Sequence, residues 1–218
     1  MRTIRVTGKG QLKLRPDTTR ITITLTGINP EYSETLRRSS EDTEVLKEAL
    51  LPFGFAGAEL KTLNFSVDTE FESYKDHGAY RQRLAGYRYR HILKVEFPSD
   101  NKRLGKILYA LAKCPVNPEF RISYTLADPE AAKSELLAKA VTDAQRKAAV
   151  LTSAAGLKLG EIQSMDYSWG QVDFVVNSIN RDLAMEECAV ADGGSFDLNV
   201  EPDDIEASDT VTVVWEIA

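Results

Sequence analysis

The chain has 218 residues, 43% of them hydrophobic and 28% charged, with 27 Lys and Arg against 33 Asp and Glu for a net charge of −6. That length and balance can bury one good core, and they exclude a transmembrane helix, which needs about 18 consecutive apolar residues. The two cysteines, Cys114 and Cys188, are too few for a disulfide framework or a thiolate metal site, and the net negative charge argues against a general affinity for nucleic acid.

The first two predicted strands flank Pro16 and Asp17. Leu12 and Leu14 alternate with Lys13 and Arg15, and Ile21, Ile23 and Leu25 alternate with Thr22, Thr24 and Thr26, the period of two expected of half-buried strands. Pro16 presets φ, and Asp17 can bond backbone two residues on, so the pair reads as a turn and not as a catalytic acid. Next, "NPEYSETLRRSSEDTEVLKEALLPFG" predicts an amphipathic helix with Asn29 as N-cap, Pro30 at its first position, an apolar stripe of Tyr32, Leu36, Thr43, Leu46 and Leu50, and a stop before Pro52.

Leu63, Phe65, Val67, Thr69 and Phe71 then alternate with polar residues, as do Tyr87, Tyr89, His91, Leu93, Val95 and Phe97. The two runs predict an antiparallel hairpin. With its turn centred on Gly78 and Ala79, Glu70 falls opposite Arg88 and Asp68 opposite Arg90, as cross-strand charge pairing favours. A shorter helix, "NKRLGKILYALAKC", presents Leu104, Ile107, Leu108 and Leu111 and ends at Pro115, ahead of a strand carrying Phe120, Ile122, Tyr124 and Leu126.

The strongest helical signal is "DPEAAKSELLAKAVTDAQRKAAVLTSAAGLKLG". Asp128 is its N-cap, Pro129 its first residue, and Gly156 with Leu157 suits a Schellman end. Its stripe of Leu137, Val141, Ala144, Ala148, Leu151 and Ala155 is unusually small, which lets the helix backbone sit close to the sheet it covers. Strands over about 161–169 and around Val211, Val213, Trp215 and Ile217 complete the pattern. Sequence neighbours are expected to pair antiparallel with three helices on one face, an α+β fold in a single domain spanning 1–218. Residues 168–209 interrupt it as an acidic insertion of net charge −10, leaving +4 for the rest, and "FVVNSI" and "LAMEECAV" within it are apolar enough to need burial.

Motifs that carry chemistry are sparse. "TGKG" has Gly8 and Gly10 but lacks the remainder of a dinucleotide or phosphate loop, so it reads as a strand bend. His77 and His91 cannot make a His-rich metal site, and "DGGSFD" does not repeat oxygen ligands at the alternate positions of a calcium loop. No cofactor is expected. One stretch resembles a ligand surface: "YKDHGAYRQRLAGYRYRHILK", where tyrosines interleave with Lys75, Arg81, Arg83, Arg88, Arg90 and Lys94, the composition used to stack and neutralise single-stranded nucleic acid. The competing reading spends Arg88 and Arg90 on Glu70 and Asp68.

Three segments together are similar to the SIMPL domain family, which includes bacterial periplasmic antigens, an oxidative stress defence protein and an adaptor of a Pelle-like kinase. They are "VTGKGQLKLRPDTTRITI", "YTLADPEAAKSELLAKAVTDAQRKAAVLTSAAGLKLGEI" and "DTVTVVWEI", and the resemblance covers nearly the whole chain. It implies an α+β fold, assembly into rings in some members, a loosely described biological role and no established reaction. The chain departs from the family in carrying Pro202-Asp203 where Pro-Gly is usual. Met1 abuts the first strand where periplasmic relatives carry an export signal, so a cytoplasmic location and reduced thiols are expected.

The expected function is a non-enzymatic, stress-linked assembly module that forms a homo-oligomer. Its candidate surface joins Tyr80, Arg81, Arg83, Arg88 and Arg90 of the hairpin to Phe174, Val175, Glu186 and Glu187 of the acidic segment. A nucleic-acid or anionic-ligand module using the hairpin is the alternative; another protein is a second possible partner, and no membrane is expected.

Overall fold

The computed structural model describes residues 2–76, 79–167, 174–177, 190–191, 195–196 and 200–218. In chain order these form β1 (Arg2–Leu14), β2 (Thr18–Asn29), α1 (Tyr32–Leu50), β3 (Lys61–Asp76), β4 (Ala79–Pro98), α2 (Asn101–Lys113) and β5 (Glu119–Thr125). There follow α3 (Pro129–Ala154), β6 (Leu159–Tyr167), β7 (Val175–Asn177), β8 (Val190–Ala191), β9 (Ser195–Phe196) and β10 (Ile205–Ile217). The fold is α+β with antiparallel sheets, as expected. Its elements gather into two compact units, one of Met1–Asp17, Tyr124–Val176 and Pro202–Ala218, the other of Thr18–Ser123 and Asn177–Glu201.

In the first unit β1 pairs with β10 in an unbroken antiparallel register from Arg2↔Ile217 to Leu14↔Ile205, and β10 pairs on its other side with β6. The final strand thus starts at Ile205, inside the stretch expected as insertion, because Ile205 and Ala207 alternate inward and are buried. α3 has the predicted ends. Asp128 accepts the Ala131 N–H at 2.9 Å, Pro129 opens the helix, and beyond it Gly156 takes φ 71° while the Leu157 N–H reaches the Thr152 carbonyl at 2.9 Å.

The buried face of α3 is rotated from the expected one. It consists of Ala132, Leu136, Ala140, Ala144, Ala148 and Thr152, every fourth residue, whereas Leu151 is 52% exposed. The partner surface explains this choice. A Cβ added to Gly8 would lie 2.0 Å from the Ala140 carbonyl oxygen, and one added to Gly10 would lie 2.1 Å from that of Leu136. "TGKG" is therefore no bend but the seat on which the alanine face rests, glycine against alanine, so that helix and strand backbones come into direct contact. α3 also closes part of the edge of β1: Asp143 accepts the Lys9 N–H at 2.9 Å and Lys147 donates to the Thr7 carbonyl at 3.4 Å.

Pro16 and Asp17 do not join a hairpin, because β1 pairs with β10 and β2 with β4. The chain leaves the first unit there. The Asp17 carboxylate accepts the Ala127 N–H at 2.7 Å, and the Asp17 N–H donates to the Thr125 carbonyl at 3.2 Å. Asp17 thus pins the approach to α3, a structural role played on backbone 110 residues away.

The second unit holds strands in the order β3-β4-β2-β5. Ile21, Ile23 and Leu25 of β2 and Tyr89, Leu93, Val95 and Phe97 of β4 form one face, covered by Leu46 and Leu50 of α1 and by Leu104, Ile107, Leu108 and Leu111 of α2. Asp100 caps α2 through the Lys102 and Arg103 N–H groups, and the Arg103 guanidinium lies over the edge-to-face rings of Phe55 and Phe97, 4.9 and 5.0 Å from their centres. α1 begins two residues later than expected. β2 continues through Asn29, Glu31 occupies the N-cap without a side-chain bond, and Pro52 lies within a short 3₁₀ turn, Leu51–Phe53. Its first two turns bury Thr35 and Ser39, while Tyr32 and Leu36 stay exposed.

Candidate functional site

The hairpin of β3 and β4 is built from strands of 16 and 20 residues. Its register differs from the expected one: Asp68 stands opposite Arg88, Ser66 opposite Arg90, Glu70 opposite Gly86 and Asp76 opposite Ala79. Two causes combine. The connection lies one to two positions earlier than assumed, and β4 carries a bulge, with Gly86 facing Glu70 and Leu84 facing Phe71. Gly86 has φ 150°, and a Cβ there would lie 2.4 Å from the Asn29 carbonyl oxygen, so glycine is required on both counts.

Residues directly opposite in a ladder share a face, which sorts the hairpin into two surfaces. The first carries the charges. Arg88 Nε lies 3.0 Å from Glu70 Oε2, a diagonal pair, and Arg83 Nε lies 2.5 Å from Glu72 Oε1 with its guanidinium 5.5 Å from the centre of the Tyr74 ring. The hydrogen bond from Arg88 holds the Glu70 carboxyl below the usual range. Arg81 stands opposite Tyr74, and Arg90 has no carboxylate at ion-pair distance among the described residues. The second surface continues the face that α1 covers, through Phe65 and Val67 to Phe71 opposite Leu84 and Lys75 opposite Tyr80. There the cover has ended: Phe71 is 56%, Leu84 48% and Tyr80 80% exposed.

At the base of the hairpin, Tyr89 is fully enclosed and donates to the Asp42 carboxylate of α1, near which Arg38 Nε stands at 3.8 Å. Burial, reinforced by that carboxylate, pushes the phenol far above its ordinary range. Gly27 makes room for the ring, since a Cβ there would meet Tyr89 Cε1 at 2.5 Å. The buried phenol with its hydroxyl satisfied by Asp42 ties α1 to the base of the hairpin.

The other expected surface residues scatter. Phe174 is 4% exposed and packs with Leu12, Leu136, Ile205 and Ala207 in the first unit's core, and its carbonyl accepts from Thr125 Oγ1 at 2.8 Å. It is a core residue and not available to a partner, because its ring is spent on the unit's own interior. Val175 beside it is half-buried. Glu186, Glu187, Cys188, Asp192 and Asp197 lie outside the described residues, as does His77. Cys114 is a buried free thiol. Among the described residues no three His, Cys, Asp or Glu side chains gather as a metal site, and no helix is long and apolar enough to cross a membrane. Two open depressions, of about 410 Å³ over Val6, Val150 and Leu151 and about 300 Å³ beside Asp17, Asp128 and Glu135, line the first unit.

Sequence reasoning missed Phe71 and Leu84, though both could have been found from element lengths, and it missed the glycine–alanine seat. That seat, the Asp17 tie to Ala127 and the capped α3 fall within the segments whose resemblance was noted, and a family model described as "SIMPL: Protein of unknown function (DUF541)" matches residues 4–215. The chain belongs to the SIMPL family. The match runs through both compact units, so together they form the SIMPL region. No curated protein matches the chain.

Proposed function

We propose that this SIMPL chain is a non-enzymatic assembly module whose hairpin docks onto a second copy. One observation carries the reading: β3 and β4 leave Phe71, Leu84 and Tyr80 exposed on one surface, the continuation of the face on which Tyr89 is buried with Leu46 and Leu50 of α1. Exposed apolar rows of this kind mark interaction surfaces. The charged surface behind them sets orientation more than affinity, because Arg88 and Arg83 are engaged by Glu70 and Glu72. A stress-related setting rests on the family resemblance alone.

The alternative, an anionic-ligand or nucleic-acid module, draws support from the Arg83–Tyr74 stack. It is disfavoured because Arg83 and Arg88, its best cations, are held by carboxylates. Sedimentation at two salt concentrations tests the assembly reading. The wild type should self-associate at both, more weakly at high salt, and Phe71→Ser with Leu84→Ser should yield monomer, whereas Arg81→Glu with Arg83→Glu should weaken association chiefly at low salt. A wild type that is monomeric at every concentration and salt overturns it, and tight anisotropy-detected binding of a labelled single-stranded oligonucleotide by that monomer would favour the alternative.

A further inference from the structure

β1 has a regular outer edge that α3 closes only in part. The Lys9 N–H goes to Asp143 and the Thr7 carbonyl to Lys147, so both residues turn their main-chain groups away from β10. In an antiparallel ladder such residues alternate with those bonded to the partner strand, and the register of β1 on β10 is unbroken. Thr3 and Arg5 therefore present their N–H and carbonyl groups on the same edge, with no hydrogen-bond partner among the described residues. Beside them, past Lys147, α3 leaves Val150 63% and Leu151 52% exposed next to Val6, around the depression of about 410 Å³. The opposite edge of the sheet is different. β6 is interrupted by two irregularities in its register with β10, a device that blunts strand edges, and β1 carries none.

We propose that the open end of β1 is where the hairpin of a second copy docks, its strand β3 adding alongside Thr3 and Arg5 while Phe71 enters the depression. The inference rests on the assembly reading above and names the surface that receives the hairpin. The two strands are complementary side by side. On β1, Val6 faces the depression, and Arg5 and Lys9 are exposed on the other side of the strand with no carboxylate at ion-pair distance among the described residues. On β3, the edge strand of its sheet, Val67, Thr69 and Phe71 share one side and Asp68, Glu70 and Glu72 the other. A β3 added with its apolar side toward α3 thus sets Phe71 against Val150 and Leu151 and carboxylates over Arg5 and Lys9. Main-chain bonds and the buried ring supply the affinity, and the charges select the strand. A second β1 would bring cation against cation, and β6 has the interrupted edge, so β3 is the strand that fits.

Sedimentation measures the strength of the contact. Arg5→Pro removes an edge N–H that β10 does not use, and Val150→Asp with Leu151→Asp charges the depression. Each should weaken self-association about tenfold or more, with thermal melting to check that the variants are folded. If Arg5→Pro does not fold, the aspartate pair, on an exposed helix surface, carries this arm. Cross-linking locates the contact. Cys188→Ser protein bearing Thr69→Cys, which keeps Phe71, is mixed with Cys188→Ser protein bearing Leu151→Cys and treated with a short bis-maleimide; the buried Cys114 stays in both. The mixture should give a covalent dimer that neither protein gives alone. A chain carrying both cysteines that links only within itself, with no dimer from the mixture, overturns the proposal. A wild type that is monomeric at every concentration removes the assembly reading and this inference with it. Assembly undiminished by either set of substitutions, with no linked dimer from the mixture, overturns this inference alone and leaves the assembly reading standing.

Discussion

Replacing Gly8 by alanine tests the contact on which the first unit is built. In an open strand the change would stabilise by about 0.5–1 kcal/mol, since alanine loses less backbone freedom on folding. Here the new methyl would stand 2.0 Å from Ala140 O, 2.4 Å from Ala144 N and 2.7 Å from Ala144 Cβ. The two nearest atoms belong to the backbone of a helix interior and cannot rotate aside, so α3 must retreat by about 1.4 Å to recover an ordinary 3.4 Å contact. That retreat separates Ala140, Ala144 and Ala148 from Val211, Val213 and Trp215 and lengthens the Lys9–Asp143 bond. Overpacking plus loosened packing should cost about 2–4 kcal/mol. At roughly 2–4 °C per kcal/mol for a chain of this size, the melting temperature of the transition that includes this unit should fall by about 4–16 °C. Thermal melts by circular dichroism, run beside Gly57→Ala, where an added Cβ meets nothing within 4 Å, provide the assay. Adding Ala144→Gly to Gly8→Ala removes one of the three clashes and leaves both backbone ones, so it should recover only a minor part. A Gly8→Ala protein that melts with the wild type would refute the seat.

Two further predictions use the same cores. Ala148 is fully buried against the sheet, so Ala148→Leu should lower the denaturation midpoint by the equivalent of about 1–3 kcal/mol; an unchanged midpoint in urea would place that face in solvent. Burial raises the pKa of both Tyr89 and Tyr124, the former also beside Asp42, so their stabilising neutral form persists below the unfolded value of about 10 and stability falls as pH rises past it. In a spectrophotometric titration these two of the eight tyrosines should ionise only with unfolding, and smooth ionisation of all eight in the folded protein would count against the buried pair.

What the sequence disclosed depended on how far each determinant lies along the chain. The ends of α3 were legible because Asp128, Pro129 and Gly156 act within their own turn. Its buried face was not, because the large aliphatics Leu137, Val141 and Leu151 draw the eye while the depth of packing is set by Gly8 and Gly10, more than 120 residues earlier. A signal existed: two glycines two apart on one strand face and alanines four apart on a helix are complementary small surfaces. In the hairpin, charge matching named the correct Glu70–Arg88 pair from an incorrect register, since a bulge changes which residues stand opposite while long side chains still reach diagonally. At α1, Asn29 and Pro30 formed a good local start signal, yet pairing with β4 kept Asn29 in the strand and moved the cap to Glu31.

The candidate site was half legible, and the missing half follows from lengths. Counting cations singled out Arg81, Arg83 and Arg88, but Arg83 and Arg88 are already paired across the ladder, and exposed charges so paired contribute little to affinity. The alternation of β3 placed Phe71 on the inner face, and an inner face is buried only as far as something covers it. α1 has 19 residues, about 28 Å of helix at 1.5 Å per residue. β4 has 20, about 66 Å of strand at 3.3 Å per residue. A helix and a strand of equal residue count therefore cannot end together, and with α1 packed near the base of the hairpin, through Thr43 on His91 and Tyr32 on Tyr87, the far strands must continue uncovered. Alternation maintained past that point places apolar side chains where, among the described residues, no helix of this unit reaches them, which is why Phe71, Leu84 and Tyr80, and not the arginines, are the residues to which the assembly reading assigns the affinity.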